Sequence, residues 1–189
     1  MSKPKLVISG LVVVLLIYTV YMFVNSLDEP THVHSRDDAP RTEESASVDN
    51  NQNTGQLEQQ LQDRPDDFVL LMTLGHAYLD QENFESAQEV FRRAVEVNPQ
   101  SAEAWTDLAI VLKMNGFVDK ALANLQKVTK DFPDYAEGWL QLGVIYRFDK
   151  EENEKALASF QKFIELERNS ELVPRVQQEI QKIQAELNQ

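Results

Sequence analysis

One line of this chain is written three times at a fixed interval. Leu71-Met72-Thr73-Leu74-Gly75-His76-Ala77-Tyr78 is followed 34 residues on by Trp105-Thr106-Asp107-Leu108-Ala109-Ile110-Val111-Leu112. After 34 more comes Trp139-Leu140-Gln141-Leu142-Gly143-Val144-Ile145-Tyr146. Pro65, Pro99 and Pro133 keep the same interval. A period of about 34 residues leaves room for one helical hairpin per unit, and a lone hairpin cannot bury its apolar face, so consecutive units must stack.

Each unit divides into two helices. Helix A of the first spans 68–80 and helix B spans 84–97, with Gln81-Glu82-Asn83 as the turn and Asn98-Pro99 ending helix B, because proline disfavours helix in the residue before it. Asp66 and Asp67 precede helix A, where carboxylates cap free amides and complement the dipole. Ser101 caps the second unit, which turns at Asn115-Gly116. The third turns at 149–153. Small residues recur at Gly75, Ala109 and Gly143 and at Ala87, Ala121 and Ala156, alternating with large ones such as Tyr78, Phe91, Trp105, Trp139, Tyr146 and Phe160. This alternation lets helices approach closely, and each large side chain contributes about 1.5–3 kcal/mol on burial.

The flanks differ in kind. Residues 1–5 are basic, with Lys3 and Lys5, and 6–27 open with nineteen uncharged residues from Leu6 to Val24. At about 1.5 Å per residue these reach roughly 29 Å, enough to cross the hydrocarbon layer. The run exceeds the apolar part of a cleaved signal and lacks an Ala-x-Ala pattern after it, so a retained transmembrane anchor is expected. Lysines before the span and Asp28 and Glu29 after it place the N-terminus in the cytoplasm and the bulk of the chain outside. Residues 28–55 are polar, acidic and almost free of large apolar groups, the composition of a disordered linker. His32 and His34 lie there without the preorganised geometry and supporting shell that a metal needs, so no metal or other cofactor is assigned.

Residues 56–67 read as a lead-in helix carrying Leu57 and Leu61, the second half of an incomplete leading repeat. The closing segment 171–189 leaves the repeat pattern but keeps a one-sided stripe of Val176, Ile180, Ile183 and Leu187, with Pro174 in its first turn. It suits a capping helix; a short oligomerisation helix has the same stripe.

Trp139-x2-Leu142-Gly143-x2-Tyr146 and Ala87-x3-Phe91-x2-Ala94-x4-Pro99 carry a resemblance that names the architecture. The chain resembles tetratricopeptide-repeat (TPR) proteins over about residues 56–189. The implied fold is all-α, a right-handed superhelical array of about three hairpins at 68–101, 102–135 and 136–170. The second repeat departs in Ala109 and Leu112. The third has one extra residue between Tyr146 and Ala156, expected to lengthen its turn, and Arg168 at the proline position.

The resemblance further implies a concave face made by the A helices. Carried over residue by residue, it selects Met72, His76 and Leu79, then Thr106, Ile110 and Lys113, then Leu140, Val144 and Arg147. This face is largely apolar, with Lys113 and Arg147 at one edge, and suits a protein or peptide partner with apolar anchors and an acidic group near those cations. The alternative is that the closing helix covers part of it. Relatives that clamp a chaperone's C-terminal carboxylate use Lys, Asn and Arg along this groove, which Met72, His76 and Thr106 replace here.

No catalytic constellation is present: the six glycines form no phosphate loop, there is no cysteine, and His76 has no serine partner. A net charge of −13 opposes nucleic-acid binding. The chain reads as a non-enzymatic adaptor tethered to a membrane. It resembles the short, membrane-anchored TPR proteins of Gram-negative bacteria, including the TPR segments of c-type cytochrome maturation factors. That resemblance implies an inner-membrane protein with a periplasmic repeat domain assisting assembly of an envelope complex. The other readings are an organellar import receptor facing the cytosol and, in a different class, an enzyme or metal-binding protein built on His32, His34 and His76.

Overall fold

The computed structural model describes residues 54–188, and within them the chain is helical without a strand. Helix α1 covers 54–63. Then come α2 (Phe68–Asp80) and α3 (Phe84–Val97), α4 (Ala102–Met114) and α5 (Val118–Asp131), α6 (Ala136–Val144) continued by a π-helical turn (Ile145–Asp149) and α7 (Asn153–Leu166), and finally α8 (Val173–Leu187). The A helices are thus α2, α4 and α6, and the B helices α3, α5 and α7. Each A helix packs on its own B helix, α3 packs on α4, α5 on α6 and α7 on α8. The expected anchor and nearly all of the linker lie outside the described residues. Thr54 and Gly55, read as linker, belong to α1. No helix among the described residues is long and apolar enough to cross a membrane.

Local chemistry sets the helix starts. The Asp67 carboxylate accepts from the Leu70 amide at 3.1 Å, Asn83 from Ser86 at 3.2 Å and Ser101 from Ala104 at 3.1 Å. Each cap satisfies one of the amides that a helix start leaves unpaired. The A-to-B turns of all three repeats have the same length, 81–83, 115–117 and 150–152. All three place their middle residue in the left-handed region: Glu82 at φ 55°, Gly116 at φ 81° and Glu151 at φ 56°.

Equal turns mean that the extra residue of the third repeat is not in its turn, where the sequence placed it. It is inside helix A. The first two A helices have 13 residues each, whereas α6 and its π turn have 9 and 5. The Lys150 amide reaches back five residues to the Ile145 carbonyl at 3.0 Å. One added residue is absorbed by widening one helical turn, the usual origin of a π segment. This keeps Tyr146 and Ala156 in the core, where a longer loop would have left both positions unconstrained.

The core runs through the whole stack, with Leu71, Phe91, Val111, Leu125, Ile145 and Ile183 sealed from solvent. Close approach is strict at three glycines, among them Gly138, where a Cβ would lie 2.6 Å from Val128 Cγ1. A Cβ on Gly75 would lie 2.6 Å from the Phe91 ring, and one on Gly143 would lie 2.5 Å from the Phe160 ring. The second repeat has Ala109 at the equivalent position and Leu125 in place of the ring, so its methyl occupies space that the smaller partner leaves. The two departures compensate each other. The repeat junctions are also tied by a shared device. The indole N–H of Trp105 donates to the Pro99 carbonyl at 3.0 Å, and that of Trp139 to Pro133 at 2.8 Å. At the first junction, where Leu71 has no side-chain N–H, Arg93 donates to the Pro65 carbonyl at 2.6 Å.

At the N-terminal end α1 covers the first repeat through Leu57 and Leu61, and the Tyr78 hydroxyl donates to Glu58. At the C-terminal end α8 buries Val173, Val176 and Ile183 against the core. It acts as a capping helix, with one difference from its expected stripe: Leu187 is exposed.

Candidate functional site

The nine residues selected for the A-helix face do not share one fate. Met72 is 7 % exposed and Thr106 is 1 % exposed, with the Thr106 hydroxyl donating to the Ala102 carbonyl at 2.9 Å. Both are core residues and offer a partner no side-chain surface. Leu79, Ile110, Leu140 and Val144 are half-buried, and His76 is exposed. Two residues that the sequence reading left out belong with them. Met114 lies one turn beyond Ile110, Phe148 lies beyond Val144 in the π turn that closes the next A helix, and both are 52 % exposed. They are 34 residues apart in the sequence, which was the available signal, although the inserted residue sets Phe148 one place further from its turn than Met114 is.

The two expected cations are present but occupied. Lys113 pairs with Asp149 at 3.7 Å. Arg147, aimed by the π turn, donates from Nη1 and Nη2 to the two Glu186 oxygens at 2.7 Å each, from Nε to Glu179 at 2.8 Å and from Nη1 to Asn153 at 2.7 Å. Its side chain is only 14 % exposed. Carboxylates of the chain itself thus already pair with the two cations expected to receive an acidic ligand group, Lys113 and Arg147, and α8 supplies those of Arg147. The hydrogen bond from Arg147 lowers the Glu186 pKa. Burial opposes the same effect at Glu179, but the bonds from Arg147 and Lys182 outweigh it and hold that carboxyl below its usual range.

The other end of the face has the opposite character. His76 on α2 meets Asp107 on α4, Nε2 to Oδ2 at 2.9 Å. Its ring stands edge-on to Phe91 with centroids 5.4 Å apart. Glu103 lies one turn before Asp107, and a ligand oxygen of each falls within 4.8 Å of the His76 nitrogen and of the other. Burial raises the Asp107 carboxyl above the usual carboxylate range; His76 opposes the shift, and the charges of Glu103 and Glu137 add to it. The phenol of Tyr135 is pushed up to about 12 by burial and by Asp107, Glu137 and Glu103. A cluster of three carboxylates thus has one imidazole facing it. Periodicity could not show this, since the partners are 31 residues apart and on different helices.

The arrangement is a shallow face with apolar side chains at its middle and charge at both ends, suited to holding a chain segment. Comparison with known proteins agrees with the architecture. Two models of the tetratricopeptide repeat match the chain, one at residues 56–109 and 79–142 and the other at 136–170. Superkiller complex protein 3 of Homo sapiens is 31% identical over 87 residues, which are 46% of this chain and 6% of that protein. This chain therefore spans a small fraction of that relative's length. Among solved structures, a MamA protein superposes with a TM-score of 0.64 at 22% identity, covering 87% of this chain and 79% of that one. MamA 41-end from Desulfovibrio magneticus RS-1 gives 0.59 at 22% identity, with 67% and 71% covered. The first TPR of Spaghetti (RPAP3) bound to the HSP90 peptide SRMEEVD gives 0.59 at 18% identity, with 65% and 94% covered. With the repeats matched from residue 56 to 170 and the same stack seen in the coordinates, the chain belongs to the tetratricopeptide-repeat proteins.

Proposed function

We propose that the chain is a protein–protein interaction scaffold whose A-helix face holds a peptide or an exposed segment of a partner, and that residues 1–55 tether it to a membrane. The observation that carries this reading is the pair Met114 and Phe148, two large apolar side chains half open to solvent near the C-terminal ends of adjacent A helices. Leu140 and Val144 pack half-buried against the core, and Ile110 is half-buried one turn before Met114. Isolated exposed apolar residues need no explanation, but a continuous row along one face does. Tetratricopeptide-repeat proteins generally act as non-enzymatic scaffolds, and the Spaghetti relative was solved with a peptide bound.

The tether rests on the nineteen-residue uncharged run and its flanking charges. It assigns the chain to a bacterial inner membrane with the repeats in the periplasm, where it would raise the local concentration of its partner without new contacts. Clients engaged in envelope assembly, apocytochrome segments among them, fit this placement.

In-cell crosslinking from photoreactive groups at Ile110 and Val144 tests the reading. One specific adduct, abolished by Glu at the other of the two positions, is the expected result. An adduct unchanged by Ile110→Glu and Val144→Glu would move the binding surface elsewhere. Protease protection of the repeat domain in intact cells tests the placement, and full digestion by external protease without membrane disruption overturns it.

A further inference from the structure

We infer that the groove selects a basic partner: a segment that sets a Lys or Arg side chain against Glu103, Asp107 and Glu137 and its apolar side chains against Ile110, Met114, Val144 and Phe148. This rests on the scaffold reading above and adds the charge and spacing of the ligand. It reverses the sense that the positions of Lys113 and Arg147 alone suggest.

The groove itself is the apolar row, and charge decides its occupant. At the end bounded by α8 both cations are neutralised, Lys113 by Asp149 and Arg147 by Glu179 and Glu186. Desolvating an acidic ligand there would first require breaking bonds at 2.7–2.8 Å that the chain already makes. At the other end Glu103 and Asp107 set carboxylate oxygens within 4.8 Å of each other and of the His76 nitrogen, which lies 2.9 Å from Asp107, and the charge of Glu137 adds to theirs at Tyr135. The nearby Lys127 sits 5.0 Å over the Trp105 ring and pairs with Asp131 at 2.6 Å. A guanidinium or ammonium from outside therefore meets an attractive potential at one end and finds no free carboxylate partner displaced at the other. Like-charge contact would reject an acidic segment at the same place.

The spacing follows from the helix. Asp107 and Met114 are seven residues apart on α4, and at about 1.5 Å per residue their side chains are offset by roughly 10 Å. An extended ligand covers that in about three residues at about 3.3 Å each, and a helical one in two turns. The partner signature is a basic residue three places from a large apolar one, or seven in a helix.

A display library of random twelve-residue peptides, selected against the full chain at low ionic strength, tests this. Enrichment of Lys or Arg at one of those spacings from Leu, Ile, Met or Phe is expected. For the enriched peptides, Glu103→Gln with Glu137→Gln should weaken binding about tenfold or more, since a hydrogen-bonded charge pair is lost, and 0.5 M salt should do the same. Enrichment of acidic peptides, or binding indifferent to those two substitutions, overturns the inference. Ile110→Glu separates the two levels: peptides that bind this variant normally sink the groove reading as a whole, whereas groove-dependent but charge-blind binding sinks only the present inference. Zn2+ alone binding the full chain and lost in His76→Ala, with no basic peptide enriched, would also overturn it and turn the three side chains into a metal site. Circular dichroism melts of every variant keep a folding defect apart from a binding defect.

Discussion

The two ends of the A-helix face are built from different positions of the repeat and have opposite character. At the first-to-second repeat end, Glu103 and Asp107 crowd around His76, leaving negative charge open to solvent. At the end of the third repeat, Arg147 is wrapped by Glu179, Glu186 and Asn153 and the face is closed. One inserted residue separates them. It widens a helical turn at Ile145–Asp149, the turn that carries Arg147, and through Arg147 the capping helix contacts the face as well as the core. A repeat array thus acquires an open and a closed end without changing its fold.

The closed end depends most on apolar packing. Ile183 is fully buried, and Ile183→Ala should cost about 2–5 kcal/mol. In a stack whose units contact only their neighbours, loss of α8 should propagate inward, with hydrogen exchange rising first in α7 and α8 while α2 and α3 keep their protection. Uniform loss of protection would mean that the ends are not energetically separable.

Next in size is the contact that both outer repeats share and the middle one lacks. Gly143→Ala drives a methyl into the Phe160 ring and should cost about 1–3 kcal/mol by thermal melting. Adding Phe160→Leu copies the Ala109–Leu125 pair, and a double-mutant cycle should recover part of the loss. A strictly additive double mutant would show that the pairing in the second repeat is incidental.

Acid should act on the two ends with opposite sign. Asp107 has a raised folded pKa, so its ionisation disfavours folding: the penalty is absent below about pH 4 and complete above the folded value. Glu179 and Glu186 have lowered folded pKa values, so their stabilisation is complete above about pH 4.3 and disappears as pH falls through those folded values. Accordingly Asp107→Asn should raise the melting temperature most at pH 7 and little at pH 3. Arg147→Ala should lower it most at pH 7, by an amount that shrinks on acidification. Parallel profiles for the two variants would break the contrast.

The smallest effect concerns the turns, where the ends agree. Glu82 and Glu151 adopt the left-handed conformation that Gly116 adopts in the middle. A side chain there costs about 1–2 kcal/mol, and glycine's extra freedom when unfolded offsets part of it. Glu82→Gly and Glu151→Gly should each stabilise by about 0.5–1 kcal/mol in denaturant titrations.

Much of this architecture could be read from residues alone. The bounds of α2 and α3, the caps at Asp67 and Ser101 and the first-turn placement of Pro174 agree with the sequence reading, because local chemistry determines each of them. The inserted residue was also visible, but only as a count between Tyr146 and Ala156. Whether a loop or a helix absorbs it depends on which side keeps its core contacts, and that is a tertiary property. The face was half legible for the same reason. Position selected Ile110, Leu140 and Val144, which the structure leaves half-buried, yet could not show that Met72 and Thr106 are enclosed, nor that Arg147 is claimed by carboxylates 32 and 39 residues away. Periodicity reports which way a side chain points, and only packing reports what it meets.

The tie between each tryptophan and a proline carbonyl has a practical outcome. The chain has two tryptophans, and each indole is fastened at a junction between repeats, Trp105 between the first and second and Trp139 between the second and third. The first repeat and its lead-in helix use Arg93 for the same purpose and carry no tryptophan. Intrinsic fluorescence will therefore follow the melting of the second and third repeats while remaining blind to fraying ahead of them. A fluorescence transition lying above the circular dichroism transition of the same sample would be the optical signature of an array that opens from its N-terminal end.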